Sequence, residues 1–125
     1  MEKQLRIAIV GSRTFSDYDK LKTYIEEVKE NNKDLFEGKE ISIVSGGARG
    51  ADTLAEKYAK ENGYTLITYM ADWNKWGKSA GFRRNYDIIQ NCDICIAFWD
   101  GQSKGTAHDI ELCEKYNKQY FICKF

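Results

Sequence analysis

Residues suited to holding a phosphate and to acid–base chemistry gather in three glycine-bearing turns of this 125-residue chain. The densest is Ser45-Gly46-Gly47-Ala48-Arg49-Gly50-Ala51-Asp52, set between an apolar run and an amphipathic pattern. Its glycines let the backbone curl and approach a ligand closely, and a helix starting at Gly50 or Ala51 would direct unpaired N–H groups at an anion. Asp52, in the first turn of that helix, complements the helix dipole. Gly11-Ser12-Arg13 supplies backbone donors, a hydroxyl and a guanidinium for phosphate or carboxylate. Gly101-Gln102-Ser103-Lys104-Gly105-Thr106-Ala107-His108-Asp109 joins a further cradle to an acid and the chain's one histidine. There Gly105 lets the chain turn, Thr106 caps a helix, and His108 and Asp109 fall in its opening turn. Asp109 is a candidate general base, ribose-hydroxyl acceptor or stabiliser of a ribosyl cation, or it simply complements the helix start.

A fourth segment, from Asp72 through Trp73, Lys75, Trp76, Lys78, Arg83 and Arg84 to Asn85, sets two tryptophans among four cations. Stacking with positive charge suits a nucleotide, and the same tryptophans could anchor a long loop on the domain. Neither the Walker pattern nor the three-glycine dinucleotide fingerprint occurs. Cys92-Asp93-Ile94-Cys95 has the spacing of half a zinc site, yet no second pair accompanies it, so Cys92, Cys95, Cys113 and Cys123 are read as core residues. No metal or cofactor is called for.

The elements that must position these turns alternate. Apolar runs at Leu5 to Val10, Ile41 to Ser45, Tyr64 to Tyr69, Ile94 to Trp99 and Tyr120 to Cys123 predict five strands. Between them, Leu21, Tyr24, Ile25 and Val28 recur at helical spacing, as do Ala51, Leu54, Ala55, Tyr58 and Ala59, ended by Asn62-Gly63. Phe82, Tyr86 and Ile89 mark a third helix, and Ala107, Ile110 and Cys113 the inward face of a fourth running from Thr106 to about Tyr116. Met70 to Ala80 reads as a loop, and Glu30 to Lys39 as a helix end with surface loop. Strands apolar on both faces, alternating with helices, imply an α/β Rossmann-like doubly wound domain with a mainly parallel five-stranded sheet. Ligands of such sheets bind beyond the carboxyl ends of the strands, where all the motif-bearing turns fall.

At 125 residues with 42% hydrophobic side chains, the chain is expected to form a single domain over 1–125. Lys+Arg and Asp+Glu both number 19, so a general electrostatic grip on nucleic acid or an anionic membrane is not indicated, and nucleic acid is expected to be an unlikely partner. The opening residues lack the apolar region of a secretory signal, and no stretch is long enough to span a bilayer, so a reduced cytoplasmic protein is expected.

With these segments in hand, the chain resembles the YspA/cpYpsA-related family of the SLOG superfamily, kin of the Smf/DprA and Lonely Guy proteins. The resemblance rests on Gly11-Ser12-Arg13, Ser45 to Asp52, Ala71-Asp72-Trp73, Ala80-Gly81, Arg84-Asn85, and Trp99-Asp100-Gly101 with Ser103 and Gly105-Thr106. It implies a pocket for a nucleotide or nucleotide-derived molecule, such as a nucleoside phosphate, an ADP-ribose-like compound or a cyclic signalling nucleotide. Sensing or sequestration of such ligands, including in phage defence or counter-defence, and homodimers or higher oligomers are further implications. The Lonely Guy branch hydrolyses nucleoside monophosphates with an arginine and a glutamate; here Arg84 and Asp109 stand at the similar positions, and the acid is one methylene shorter. A binder is therefore expected ahead of a phosphoribohydrolase-type enzyme, with single-stranded DNA binding as in DprA relatives as a further alternative. The expected contacts in the binder are Arg13 and the Gly46–Gly50 amides on phosphate, Gly105 and Thr106 on a second phosphate or ribose, and the Trp73–Arg84 loop over the base.

Overall fold

A computed structural model describes residues 3–125. Five strands, β1 (Lys3–Gly11), β2 (Lys39–Ser45), β3 (Thr65–Thr68), β4 (Ile94–Trp99) and β5 (Gln119–Lys124), form one sheet in the order β3-β2-β1-β4-β5. Every pairing is parallel. The helices are α1 (Tyr18–Asn31), α2 (Lys33–Phe36), α3 (Ala51–Glu61), α4 (Trp73–Trp76), α5 (Ala80–Gln90) and α6 (Lys104–Lys115), with a 3-10 turn at Gly77–Ser79. The doubly wound α/β fold follows from the sequence pattern as expected.

Alternation along β1 explains why the sheet must be covered on both faces. Leu5, Ile7 and Ile9 face one core with Ile94, Ile96 and Phe98 of β4, closed by Leu21, Ile25 and Val28 of α1 and Ala55 and Tyr58 of α3. Ala8 and Val10 face the other with Cys95 and Ala97, closed by Ile88 and Ile89 of α5 and Ile110 and Cys113 of α6. Each such isoleucine or leucine contributes about 1.5–3 kcal/mol by leaving water. All four cysteines are free thiols buried in these cores, and burial lifts the Cys92 thiol to about 12.

The strand order reverses between β1 and β4, the neighbours that lead to opposite edges of the sheet. Their carboxyl ends stay paired through Gly11 and Phe98, and the loops that leave them turn to opposite sides of the sheet, with a crevice between. Of the three residues that mark the third helix only Ile89 is buried, and the readings of the α6 start and of two loops are corrected. Phe82 and Tyr86 point outward from α5, 52% and 47% exposed, and its buried stripe is Ala80, Asn85, Ile88 and Ile89. Helix α6 begins at Lys104, not Thr106, because Ser103 serves as N-cap and accepts from the Thr106 N–H at 3.5 Å. Thr106 thus lies within the first turn, and His108 and Asp109 lie beyond it. Finally, Met70 to Ala80 contains helix α4 and a 3-10 turn, and α2 interrupts the polar stretch before β2.

Candidate functional site

Ser12 ties the three turns together. Its N–H donates to Phe98 O at 3.0 Å, its carbonyl accepts from Ala51 N at 3.4 Å, and its hydroxyl accepts from Asp100 N at 3.4 Å. The glycines allow this close packing. At Gly50 (φ +78°) a Cβ would lie 2.5 Å from Ser12 O and 2.6 Å from Arg13 C, and at Gly11 it would lie 2.5 Å from Phe98 O. Side chains at either position would force the turns apart.

The loop after β2 is organised around its own carboxylate. Asp52 Oδ2 accepts from Ala48 N at 3.1 Å, and the Ser45 hydroxyl accepts from Gly47 N at 3.3 Å while donating to the Asp52 carbonyl at 3.4 Å. Two of the expected Gly46–Gly50 amides, those of Gly47 and Ala48, thus already have partners within the chain, as does the adjoining Ala51 N on Ser12 O. Over Gly46, where a Cβ would sit 2.9 Å from Arg84 Cδ and 3.0 Å from Asp52 Oδ2, the arginine from α5 meets the acid from α3. Asp52 is 7% exposed, and burial lifts its carboxyl to about 6 against the pull of the Ala48 N–H and the Arg84 charge.

The loop after β4 is built differently. Asp100 Oδ1 accepts from Gln102 N at 2.8 Å and Ser103 N at 2.7 Å, and these two N–H donors hold its carboxyl below the ordinary range. The Trp99 indole N–H donates to Ser103 O at 3.1 Å, and Gly101 takes φ +85°. In α6, Asp109 is 4% exposed; burial first, then the Asp52 charge, raises its carboxyl well above the usual range, opposed by Arg84. Among the described residues, Asp109 Oδ1 and Arg84 Nε are buried without a hydrogen-bond partner. Asn85 Nδ2 donates to Gly105 O at 3.3 Å and lies 3.2 Å from His108 Nδ1. His108 stacks edge-on with Phe82, and burial lowers its pKa.

A cavity of about 330 Å³ opens where these turns converge. It gathers twelve of the residues singled out in the sequence: Gly11, Ser12 and Arg13 from the first turn, Ala48 and Asp52 from the second, Arg84 and Asn85 from α5, and Asp100, Ser103, Gly105, Thr106 and Asp109 from the last. An adjoining cavity of about 290 Å³ shares Arg13, Ala48 and Arg84 and adds Gly46, Gly47, Arg49 and Trp73. Ser45, Gly50, Asp72, Lys78, Trp99, Gly101 and His108 line neither. Asp72 caps α4 by accepting from Lys75 N at 3.0 Å, and Lys78 lies exposed on the 3-10 turn. Sequence reasoning missed Val10, Thr14, Ile88, Met70 and Ala71 as wall residues. Thr14 had a signal, adjacency to Arg13, and Ala71 stands in the Ala71-Asp72-Trp73 motif; Val10, Ile88 and Met70 had none, because an apolar cavity wall looks like core in sequence.

Residues 5–76 match the model of the YspA, cpYpsA-related SLOG family. The gene 61 protein of Mycobacterium phage D29 is 33% identical over 120 residues, a span covering 88% of this chain and 89% of that protein. The chain belongs to the YspA, cpYpsA-related SLOG family. Among solved structures, DNA processing protein A from Helicobacter pylori, studied for its single-stranded DNA binding mode, is similar with a TM-score of 0.62 and 26% identity. The alignment covers 96% of this chain and 65% of that one. DNA processing protein A (DprA) from Streptococcus pneumoniae gives a TM-score of 0.71 at 21% identity, covering 95% of this chain and 50% of that one, a likeness of fold. This SLOG chain therefore spans less than two-thirds of the length of either DprA chain.

These relatives correct the expectation that nucleic acid is an unlikely partner, since the Helicobacter pylori protein binds single-stranded DNA. Whole-chain neutrality was the wrong measure. It says nothing of where charges sit: Arg13, Arg49 and Arg84 line the two cavities, whereas Asp19, Glu26 and Glu30 pair with Lys22, Lys29 and Lys33. Among the described residues, no helix is long and apolar enough to cross a membrane.

Proposed function

We propose that this SLOG domain, spanning 1–125, binds a nucleotide-derived ligand in the crevice beyond β1 and β4. One observation carries the reading: Asp109 Oδ1 and Arg84 Nε, buried and without partners among the described residues, belong to side chains that line the same cavity. Unsatisfied buried polar atoms are costly, about 1–3 kcal/mol each, and a ligand bearing both hydroxyls and an anion would satisfy the two together. The volume of about 330 Å³ lies at the lower end of the roughly 300–1,000 Å³ typical of small-molecule sites. A carboxyl raised by burial, as at Asp109, can donate as well as accept a hydrogen bond. That suits sugar hydroxyls better than a developing ribosyl cation, so binding stands ahead of hydrolysis.

Native mass spectrometry of freshly purified protein tests this directly, with the expected result a retained nucleotide-class mass recovered intact. Thermal melting with adenosine monophosphate, ADP-ribose and dinucleotides should show stabilisation by mass action. No retained mass and no shift at millimolar ligand would sink the proposal. Release of free base and ribose 5-phosphate, lost in Asp109→Asn, would instead make the chain a glycosidase. The same proposal sees the protein as a cytoplasmic homo-oligomer that senses or sequesters its ligand, with phage-linked signalling as a setting that the D29 relative supports.

A second reading, single-stranded DNA binding, is favoured by the surface beside the crevice. Trp73, Trp76 and Phe82 are 51%, 40% and 52% exposed, and the Arg83 guanidinium lies 3.6 Å from the Trp76 ring centroid. Exposed aromatics among cations are what a single strand stacks on. Fluorescence anisotropy with an oligothymidylate across a salt series would register it as affinity that falls steeply with salt.

A further inference from the structure

Helices α5 and α6 are joined beside the crevice by one buried amide. Asn85 is 5% exposed in a stripe otherwise made of Ala80, Ile88 and Ile89. Such an amide is costly unless its polar groups find partners. Its Nδ2 donates to Gly105 O at 3.3 Å and lies 3.2 Å from His108 Nδ1, so a single side chain of α5 grips α6 at two points about one turn apart.

These contacts fix where the protons are. A carbonyl oxygen only accepts, so the Asn85 atom facing Gly105 O is the amide nitrogen. The same nitrogen faces His108 Nδ1, and it has a hydrogen to give and no lone pair with which to take one. Nδ1 is therefore bare, and the ring proton sits on Nε2. We propose that His108 is a positioning residue of the crevice: through Asn85 it holds the α6 wall in place, and it does so only while Nδ1 carries no proton. What the wall does for a ligand rests on the nucleotide-binding reading; the clasp itself stands on contacts within the chain.

Asn85 and Gly105 line the inner cavity, whereas His108 lines neither cavity and acts from behind them. A Cβ on Gly105 would meet nothing within 4 Å, so its carbonyl, and not packing, ties this part of the wall to α5. Arg84, the residue before Asn85, lines the same cavity, and freeing Asn85 loosens the spacing between that guanidinium and the wall. A second proton on the ring would set N–H against N–H and make the contact repulsive. Phe82 and Asn85, the α5 residues against the ring, carry no charge, and Glu111 on α6 is the charge that favours the proton. Burial acts the other way and prevails, holding the ring neutral to lower pH than an ordinary histidine. The hold is thus complete above the ordinary histidine range and is lost as pH falls below it.

His108 is the chain's one histidine, so NMR of the imidazole nitrogens in the full chain reads it without ambiguity. The expected result is the Nε2–H tautomer near neutral pH, titrating below about 6.5. Isothermal titration calorimetry with ADP-ribose then compares the parent with His108→Leu, which removes the acceptor, and with His108→Asn, whose Oδ1 is an acceptor that takes up no proton in this range. At about pH 7.5, His108→Leu should bind about threefold to tenfold more weakly, as the loss of one hydrogen bond would give, and His108→Asn should restore the parent affinity. As pH falls to about 5, the parent should lose affinity relative to His108→Asn. Asp52 titrates in this range in both proteins, so their ratio isolates His108. Should His108→Leu fail to fold, the parent and His108→Asn carry the test. An Nδ1–H tautomer, or a parent-to-variant ratio that does not move with pH, overturns the proposal while nucleotide binding survives. No binding by any of the three removes the nucleotide reading, while an Nε2–H tautomer with a depressed titration still upholds the clasp.

Discussion

The turns after β2 and β4 use the same device, an aspartate that accepts backbone N–H groups, to opposite effect. Asp52 takes one amide from Ala48 inside the protein, and its carboxyl rises to about 6. Asp100 takes two amides in solvent, and its carboxyl falls. Desolvation outweighs a single hydrogen bond; without it, two hydrogen bonds prevail. The glycines divide in the same way. Gly50 is fixed by backbone on every side, while Gly101 meets only Lys124 Nζ at 4.0 Å and Gly105 meets nothing within 4 Å. The β2 turn is therefore locked structure around a buried acid, and the β4 turn is an open wall with room beside its glycines.

Replacing the glycines with positive φ would break this contrast most severely. Gly50→Ala places a methyl group against Ser12 and Arg13 backbone at φ +78°. A loss of about 3 kcal/mol or more is expected, from overpacking added to backbone strain. Gly101→Ala at φ +85° carries only the strain, about 1–2 kcal/mol. Urea denaturation of both variants checks the difference. Equal losses would mean that the β2 turn can relax and is not locked.

The pH dependence of the Asp52 contribution gives the next effect. Its carboxyl titrates at about 6 in the fold against an ordinary 3.8, so the folded chain binds more protons between those values. Stability from this group is fully present below about pH 4 and is lost as pH rises through about 6. Asp52→Asn keeps an acceptor for Ala48 N–H and removes the buried charge. Its advantage over the parent should grow by about 2 kcal/mol between pH 4 and pH 7.5, measured by urea denaturation at each pH. A pH-independent difference would mean that Arg84 neutralises Asp52 throughout. Asp109 is raised in the same direction by burial and the Asp52 charge, opposed by Arg84.

Fold and site were legible to different depths for physical reasons. β4 was read to the residue, since Ile94 to Trp99 is an unbroken apolar run closed by Asp93 and Asp100. Its parallel neighbours followed from strand–helix alternation. α5 was found without its orientation: of the residues that mark it, Phe82 and Tyr86 point outward, while Asn85 lies buried and bonds Gly105 O across the crevice. α4 was missed because Trp73–Trp76 is a single turn, too short for its one i,i+3 pair of tryptophans to register as a period. The glycine turns were correctly gathered at one end of the sheet. What sequence could not supply was the direction of the donors: Ala48 N–H points at Asp52, a contact four residues apart that no motif encodes. Local charge was likewise hidden within a neutral total.

The smallest effect sharpens the contrast most, because stability and binding should move in opposite directions. Gly105 lies in the first turn of α6 with open space where its Cβ would be, and it lines the inner cavity. Alanine there gains helix propensity and restricts the unfolded chain, stabilising by about 0.5–1 kcal/mol. The melting temperature should rise by about 2–4 °C. The same methyl group enters space that a sugar would occupy, so ligand affinity should fall although no charge or hydrogen-bonding side chain has changed. Differential scanning fluorimetry with and without ADP-ribose reads both at once. A variant that melts higher and also retains the full ligand shift would place the ligand away from the β4 wall; one that melts lower would mean that Gly105, like Gly50, is locked by a contact that forms only in solution.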